Sequence, residues 1–173
     1  MTSEDRSPAL FAHTPHGERS VYDQALRLLE FRARSVAELR RKLLQKGAEA
    51  AAVDEVIARL RDQKLLDDID FARQFARTKL LGQGASRMRI KQELSQKGIA
   101  RETADRVIKE LQEEDGIDPA AAIQRVAEKK WKSLAKFDDF ARRRKLYAFL
   151  ARRGFNPDEI RTAMNALGED IES

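Results

Sequence analysis

The 173-residue chain has no cysteine, only two histidines and one tryptophan, and aromatic side chains make up just 6% of it. Without thiols there is no disulfide, no thiolate metal site and no cysteine nucleophile. Both histidines, His13 and His16, fall in residues 1 to 18, a stretch of Ser, Pro, His, Gly and charges without periodicity. A disordered tail of that kind cannot preorganise a general base. The GxSxG, HExxH and phosphate-loop signatures are also missing. No apolar run approaches the roughly 20 residues that span a bilayer, and the opening MTSEDRSPALFAH lacks a basic region followed by an apolar one. The expectation is a soluble, cytoplasmic, non-enzymatic monomer that holds no metal and no cofactor. Four prolines and eight glycines, with 42% apolar and 36% charged residues, favour helices over strands.

What the chain does contain is one phrase stated three times: an amphipathic helix, a glycine and a second amphipathic helix. Gly47, Gly98 and Gly154 are the pivots. Leu43, Leu94 and Leu150 stand four residues before them, and Leu39, Ile90 and Leu146 stand eight before. Val53, Ala104 and Ile160 follow at plus six, Ile57, Ile108 and Met164 at plus ten, and Leu60, Leu111 and Leu167 at plus thirteen. Residues three and four apart share one helix face, so these columns define buried stripes. Glycine at each pivot suits a helix end in the left-handed conformation, and Lys46, Lys97 and Arg153 before it suit the negative end of the helix dipole. A single unit could not bury its apolar faces alone, whereas three in series can. The predicted fold is all-α, three tandem three-helix repeats in an elongated array.

Cap signals place the helices. Ser20 or Asp23 can start the first, with Tyr22, Ala25, Leu26 and Leu29 on one face. Ser35-Val36-Ala37-Glu38 is a capping box for the second, and the third runs from about Ala50 to Arg61. Asp67, Asp68 and Asp70 precede Phe71, Phe75, Ala76 and Leu80. They could hold a hard cation, but aspartates before a helix are read here as its cap and first turn. After a break at Gly82-Gln83-Gly84, Ser86 stands twelve residues before Gly98, as Ser35 stands before Gly47. Arg101 or Thr103 starts the sixth helix, and Asp118-Pro119 starts the seventh with Ile123, Ala127, Trp131 and Leu134 on one face. Trp131 is read as core rather than as a platform for a stacked base. Asp138 or Asp139 opens the eighth helix through Phe140, Leu146, Phe149 and Leu150, and Asn156-Pro157-Asp158-Glu159 opens the last. The expected organisation is a disordered tail (1–19), repeats over 20–62, 63–117 and 118–167, and an acidic tail (168–173).

Charge is uneven. The chain carries +5 overall, yet residues 118–167 alone carry +6. Such a body attracts polyanions or acidic protein surfaces. With Leu146 and Leu150 buried, about 100° per residue puts Arg144, Lys145 and Arg152 on the outward side of the eighth helix. Arg87, Arg89 and Lys91 surround Ile90 in the fifth. These six are the candidate contacts to a partner or nucleic acid, weighed against the plainer reading of solvated helix faces.

The string KLLDDIDFA over residues 64–72, Gly82-Gln83-Gly84 and IKQELSQKGI over residues 90–99 resemble the signature of the RecX family of bacterial recombination regulators. SVAELRRKL over residues 35–43 and Arg153-Gly154-Phe155 followed by Ile160 resemble that family's first and last repeats. Gly84-Ala85-Ser86 departs from the pattern where a further proline or basic residue is often seen, and Gly47-Ala48-Glu49 has no large apolar residue after the glycine. The resemblance implies a curved array of three three-helix repeats. It further implies binding to the RecA recombinase filament on single-stranded DNA, with inhibition of its recombinase, ATPase and co-protease activities. It carries no catalytic residues, so the six candidate contacts rest on charge position alone. The alternatives are a helix-turn-helix-like module that binds single- or double-stranded DNA without RecA, and a helical adaptor for another acidic protein.

Overall fold

A computed structural model describes residues 16–114, 116 and 118–169. Among them are nine α-helices and no strand: α1 (His16–Phe31), α2 (Val36–Gln45), α3 (Ala50–Asp62), α4 (Asp68–Arg77), α5 (Arg87–Gln96), α6 (Arg101–Glu114), α7 (Pro119–Ser133), α8 (Asp139–Arg152) and α9 (Pro157–Glu169). Residues 1–15 of the expected tail lie outside the described residues, whereas His16 opens α1, four residues before the expected start at Ser20. At the other end α9 takes in Gly168 and Glu169, and residues 170–173 lie outside the description.

The pivots behave as their chemistry requires. Gly47, Gly98 and Gly154 have φ of +87°, +80° and +85°. At each, the amide one residue beyond the glycine donates to the carbonyl of Leu43, Leu94 or Leu150, and the glycine amide donates to Leu44, Ser95 or Ala151. This pair of bonds satisfies carbonyls that a helix end otherwise leaves open. Helix starts follow the same logic. Ser35 Oγ accepts the Glu38 amide and the Glu38 carboxylate accepts the Ser35 amide, Asp118 accepts the amides of Ala120 and Ala121, and Asn156 and Glu159 cap each other.

The chain divides into two compact units, Met1–Asp67 and Asp68–Ser173. In the first, α1, α2 and α3 close on Leu39, Leu43, Val53 and Leu60, all fully buried. Leu66, expected to head the second repeat, is buried in this first core. The second unit holds two cores. One lies among α4, α5 and α6, around Ile90, Leu94, Val107 and Leu111. The other lies among α7, α8 and α9, around Ala127, Leu146, Leu150 and Ile160. Of the fifteen residues in the five repeat columns all but Met164 are buried, and Met164 packs at the edge of the third core. Trp131 is buried in that core, with the Arg142 guanidinium 3.7 Å from its ring centre.

Two local features depart from expectation. α4 continues as one π-helical turn over Thr78–Gly82, so the apolar spacing through Leu80 is not carried by an unbroken α-helix. Phe140, assigned to the apolar face of α8, is 78% exposed. At about 100° per residue it sits some 120° round the helix from Leu146, too far to share its stripe.

Candidate interaction surface

Within the second unit, the start of α5 is built onto the end of α8. Ser86, buried at 6% exposure, caps α5 by accepting the Arg89 amide at 3.1 Å. The same hydroxyl donates to the Gly154 carbonyl at 2.6 Å, and the Ser86 amide donates to the Arg153 carbonyl at 3.0 Å. Carbonyls at the end of α8 are thereby satisfied by the cap of α5, and the positive end of one helix dipole meets the negative end of the other. Arg153 completes the joint by donating from Nε to the Gln83 carbonyl at 3.0 Å, with its guanidinium 4.0 Å from the Phe149 ring centre. Burial, and then the neighbouring charge of Arg152, draw the Arg153 pKa below its ordinary value.

This joint brings part of the candidate set together. A β-carbon on Gly154 would lie 2.7 Å from Arg89 Cβ, so Arg87 and Arg89 at the head of α5 border the segment that carries Arg152. Arg144 and Lys145 lie about two turns back along α8, roughly 10–12 Å away at 1.5 Å per residue.

The six cations differ in how far they are already engaged. Arg89 Nε sits 2.7 Å from Glu93 Oε1, and Lys79 Nζ sits 2.7 Å from Glu93 Oε2. Burial pushes the Glu93 carboxyl up, but the hydrogen bonds from Lys79 and Arg89 and their charges outweigh it and hold the pKa below the usual value. Lys91 pairs with Asp105 on α6. The hydrogen bond from Lys91 holds the Asp105 carboxyl low against partial burial, helped by the charges of Lys91 and Arg101. Arg87 reaches Gln112 Oε1 at 3.5 Å, and Lys145 Nζ lies 4.5 Å over the Phe137 ring. Arg144 and Arg152 are exposed and make no ion pair with any described residue. Arg144 also shares its side of α8 with exposed Phe140 and Tyr147, whereas Lys145 is turned toward Phe137.

One group of cations outside the six candidates is brought together by the fold. Arg125, Lys129 and Lys130 of α7 line a cleft of about 600 Å³ together with Arg153, the residue that follows α8. The spacing of Arg125 and Lys129 along one helix was visible, but their approach to Arg153 is tertiary.

Among the described residues no three His, Cys, Asp or Glu side chains gather as a metal site, and Asp68 and Asp70 occupy the first turn of α4. No helix there is long and apolar enough to cross a membrane.

A string of three-helix units, each pivoting on a left-handed glycine and joined in the second unit by shared caps, defines a class of helical-repeat protein. Family models match all three: the first three-helix domain of RecX over residues 22–60, the second over 67–108 and the third over 117–164. The regulatory protein RecX of Pelodictyon phaeoclathratiforme is 38% identical over 143 residues, covering 83% of this chain and 86% of that protein. The regulatory protein RecX of Halorhodospira halophila is 38% identical over 154 residues, covering 88% and 91%. The crystal structure of RecX from Lactobacillus salivarius superposes with a TM-score of 0.70 at 24% identity, covering 88% of this chain and 97% of that one. The chain belongs to the RecX family of regulatory proteins.

Proposed function

We propose that this protein binds the RecA recombinase filament on single-stranded DNA and inhibits its recombinase, ATPase and co-protease activities, without catalysis of its own. Membership of a regulatory family is the observation that carries this reading. The cations Arg144 and Arg152 support it, because they are exposed and have no ion-pair partner among the described residues to give up before meeting an acidic surface or phosphates. Arg87 and Lys145 are further candidate contacts, and Arg89 and Lys91 are candidates already held in ion pairs.

The test is the DNA-dependent ATPase of the cognate RecA on single-stranded DNA, titrated with this protein at near-physiological salt. A fall at substoichiometric ratios, together with tighter binding to RecA–DNA than to DNA alone, is expected. No change at stoichiometric excess, alongside tight binding to bare duplex, overturns the reading in favour of a DNA-binding module. Such a module would weaken by about 0.9 log units per log unit of salt for each phosphate neutralised.

A further inference from the structure

The cleft between α7 and α8 carries more positive charge than the joint beside it explains. Arg125, Lys129, Lys130 and Arg153 line it, and no carboxylate among the described residues does. By contrast, most cations of the second repeat are neutralised where they stand, among them Arg73 by Glu110 and Glu114, Lys79 and Arg89 by Glu93, and Lys91 by Asp105. Arg125 and Lys129 are exposed and have no ion-pair partner among the described residues. Four like charges around one concavity repel one another, and an anion entering it relieves that repulsion.

The rest of the lining narrows the class of anion. Leu80, Leu81 and Val126 form an apolar side, and Leu81 is 57% exposed although it sits in a π-helical turn next to a folded core. A free inorganic anion has no use for that side. A single strand of nucleic acid would use the cations, but it binds best where bases find open aromatic faces. The one aromatic residue of the cleft, Phe149, is already engaged by Lys130 at 5.1 Å and Arg153 at 4.0 Å. An apolar anchor flanked by carboxylates matches all parts of the lining, and a volume of about 600 Å³ falls in the range of sites that hold small ligands or a few side chains.

We infer that the α7–α8 cleft is a docking site for a short acidic segment of a partner protein, with one or two large apolar residues seated against Leu80, Leu81 and Val126 and carboxylates on Arg125, Lys129 and Lys130. Arg153 shapes the floor, since its guanidinium is held by Gln83 and Phe149. The site shares none of the residues assigned above to filament contact, so it stands or falls apart from that assignment.

The test uses the full chain, isotope-labelled, and the hexapeptide Ac-EDLFED-NH2. Expected are saturable amide shifts at Gly82, Gln83 and Gly84 and along Val126 to Lys130. Replacing Arg125→Ser and Lys129→Ser together should weaken binding about five- to tenfold, since each exposed pair contributes modestly. Both side chains are exposed, so an unchanged thermal midpoint confirms that the variant is folded. Raising salt from about 0.05 to 0.5 M should weaken binding as well, and Ac-EDSSED-NH2 should bind markedly less than the parent peptide. The inference is overturned if these amides do not shift, if the double variant binds the peptide as well as the wild type, or if hexathymidylate saturates the same amides at lower concentration than the peptide.

Discussion

The Ser86 hydroxyl donates to the Gly154 carbonyl at 2.6 Å while accepting the Arg89 amide at 3.1 Å, so one side chain closes two helix ends. Replacing Ser86→Ala removes the cap of α5 and leaves a carbonyl of α8 without that partner. Loss of a serine cap costs about 0.5–2 kcal/mol, and a part-buried acceptor left open adds about 1 kcal/mol. The variant should lose about 2–3 kcal/mol in urea unfolding followed through amide signals of the second unit, with signals of α1 to α3 unaffected. A loss below about 0.5 kcal/mol would mean that the joint does not hold the two repeats.

The equivalent glycines of the first and third repeats offer a controlled comparison. Gly47 and Gly154 share a left-handed conformation, at φ +87° and +85°, but a β-carbon at Gly47 meets nothing within 4 Å, whereas one at Gly154 would lie 2.7 Å from both Arg89 Cβ and Ser86 Oγ. Gly47→Ala should therefore cost only the left-handed penalty, about 1–2 kcal/mol. Gly154→Ala should cost about 2 kcal/mol more, because it also forces the start of α5 away from the end of α8. Equal losses in their own units would contradict the close approach.

A second close approach is relieved by design. A β-carbon on Gly84, whose φ is +58°, would collide with Val126 Cγ2 on α7. Gly84→Ala should destabilise the second unit, and adding Val126→Ala should recover part of the loss. A coupling of about 1 kcal/mol or more is expected from the double-mutant cycle, since residues in contact depart from additivity by that order. Strict additivity would place the Gly82-Gln83-Gly84 loop elsewhere.

These residues also mark the boundary of what the sequence makes legible. Caps and pivots depend on close neighbours, so Ser35, Asp118, Asn156 and the three pivot glycines could be assigned from local pattern alone, and Ser86 from its place in the repeat. The columns anchored on Leu43 and Leu60 were readable for the same reason, since burial repeats with the helix period. Nothing local announces that α4 ends in a π turn. Nor does anything local tell that Leu66 belongs to the core before it, because both depend on which helix packs where. Charge position was half legible: periodicity sends Arg144 to the surface, where it lies, but the pairing of half-buried Lys91 with Asp105 on α6 is a tertiary fact. Phe140 shows the opposite error, an apolar residue credited to a core that its angle about α8 does not reach.

Glu93 sets a dependence on acid. Its carboxylate takes both Lys79 and Arg89 at 2.7 Å, and its folded pKa lies below the ordinary value of 4.5. A depressed carboxyl contributes stability that is fully present above the unfolded pKa and is lost as pH falls through the folded one. The thermal midpoint of the second unit should therefore decline from about pH 4.5 downward. Glu93→Gln should start lower at pH 7, by about 1–2 kcal/mol for a half-buried bridge between two cations, and should show a shallower decline below pH 4.5. Parallel curves for variant and wild type would assign the acid sensitivity to other carboxylates.

The six cations proposed for contact should not contribute equally to inhibition of the RecA ATPase. Arg144 and Arg152 have no ion-pair partner among the described residues, so a partner's anion gains the full interaction. Arg89 and Lys91 must be released from Glu93 and Asp105, or share them, which offsets part of any gain. Arg144→Ser with Arg152→Ser should raise the half-inhibitory concentration about tenfold or more, whereas Arg89→Ser with Lys91→Ser should raise it only a few-fold, within the range typical of exposed pairs. The second variant should instead show a lower thermal midpoint, because it strips two ion pairs from α5. If both variants inhibit alike and differ only in stability, the filament contacts lie elsewhere on the protein. If the paired residues dominate, their bridges open on binding, and the salt dependence of inhibition should then be the steeper in the wild type.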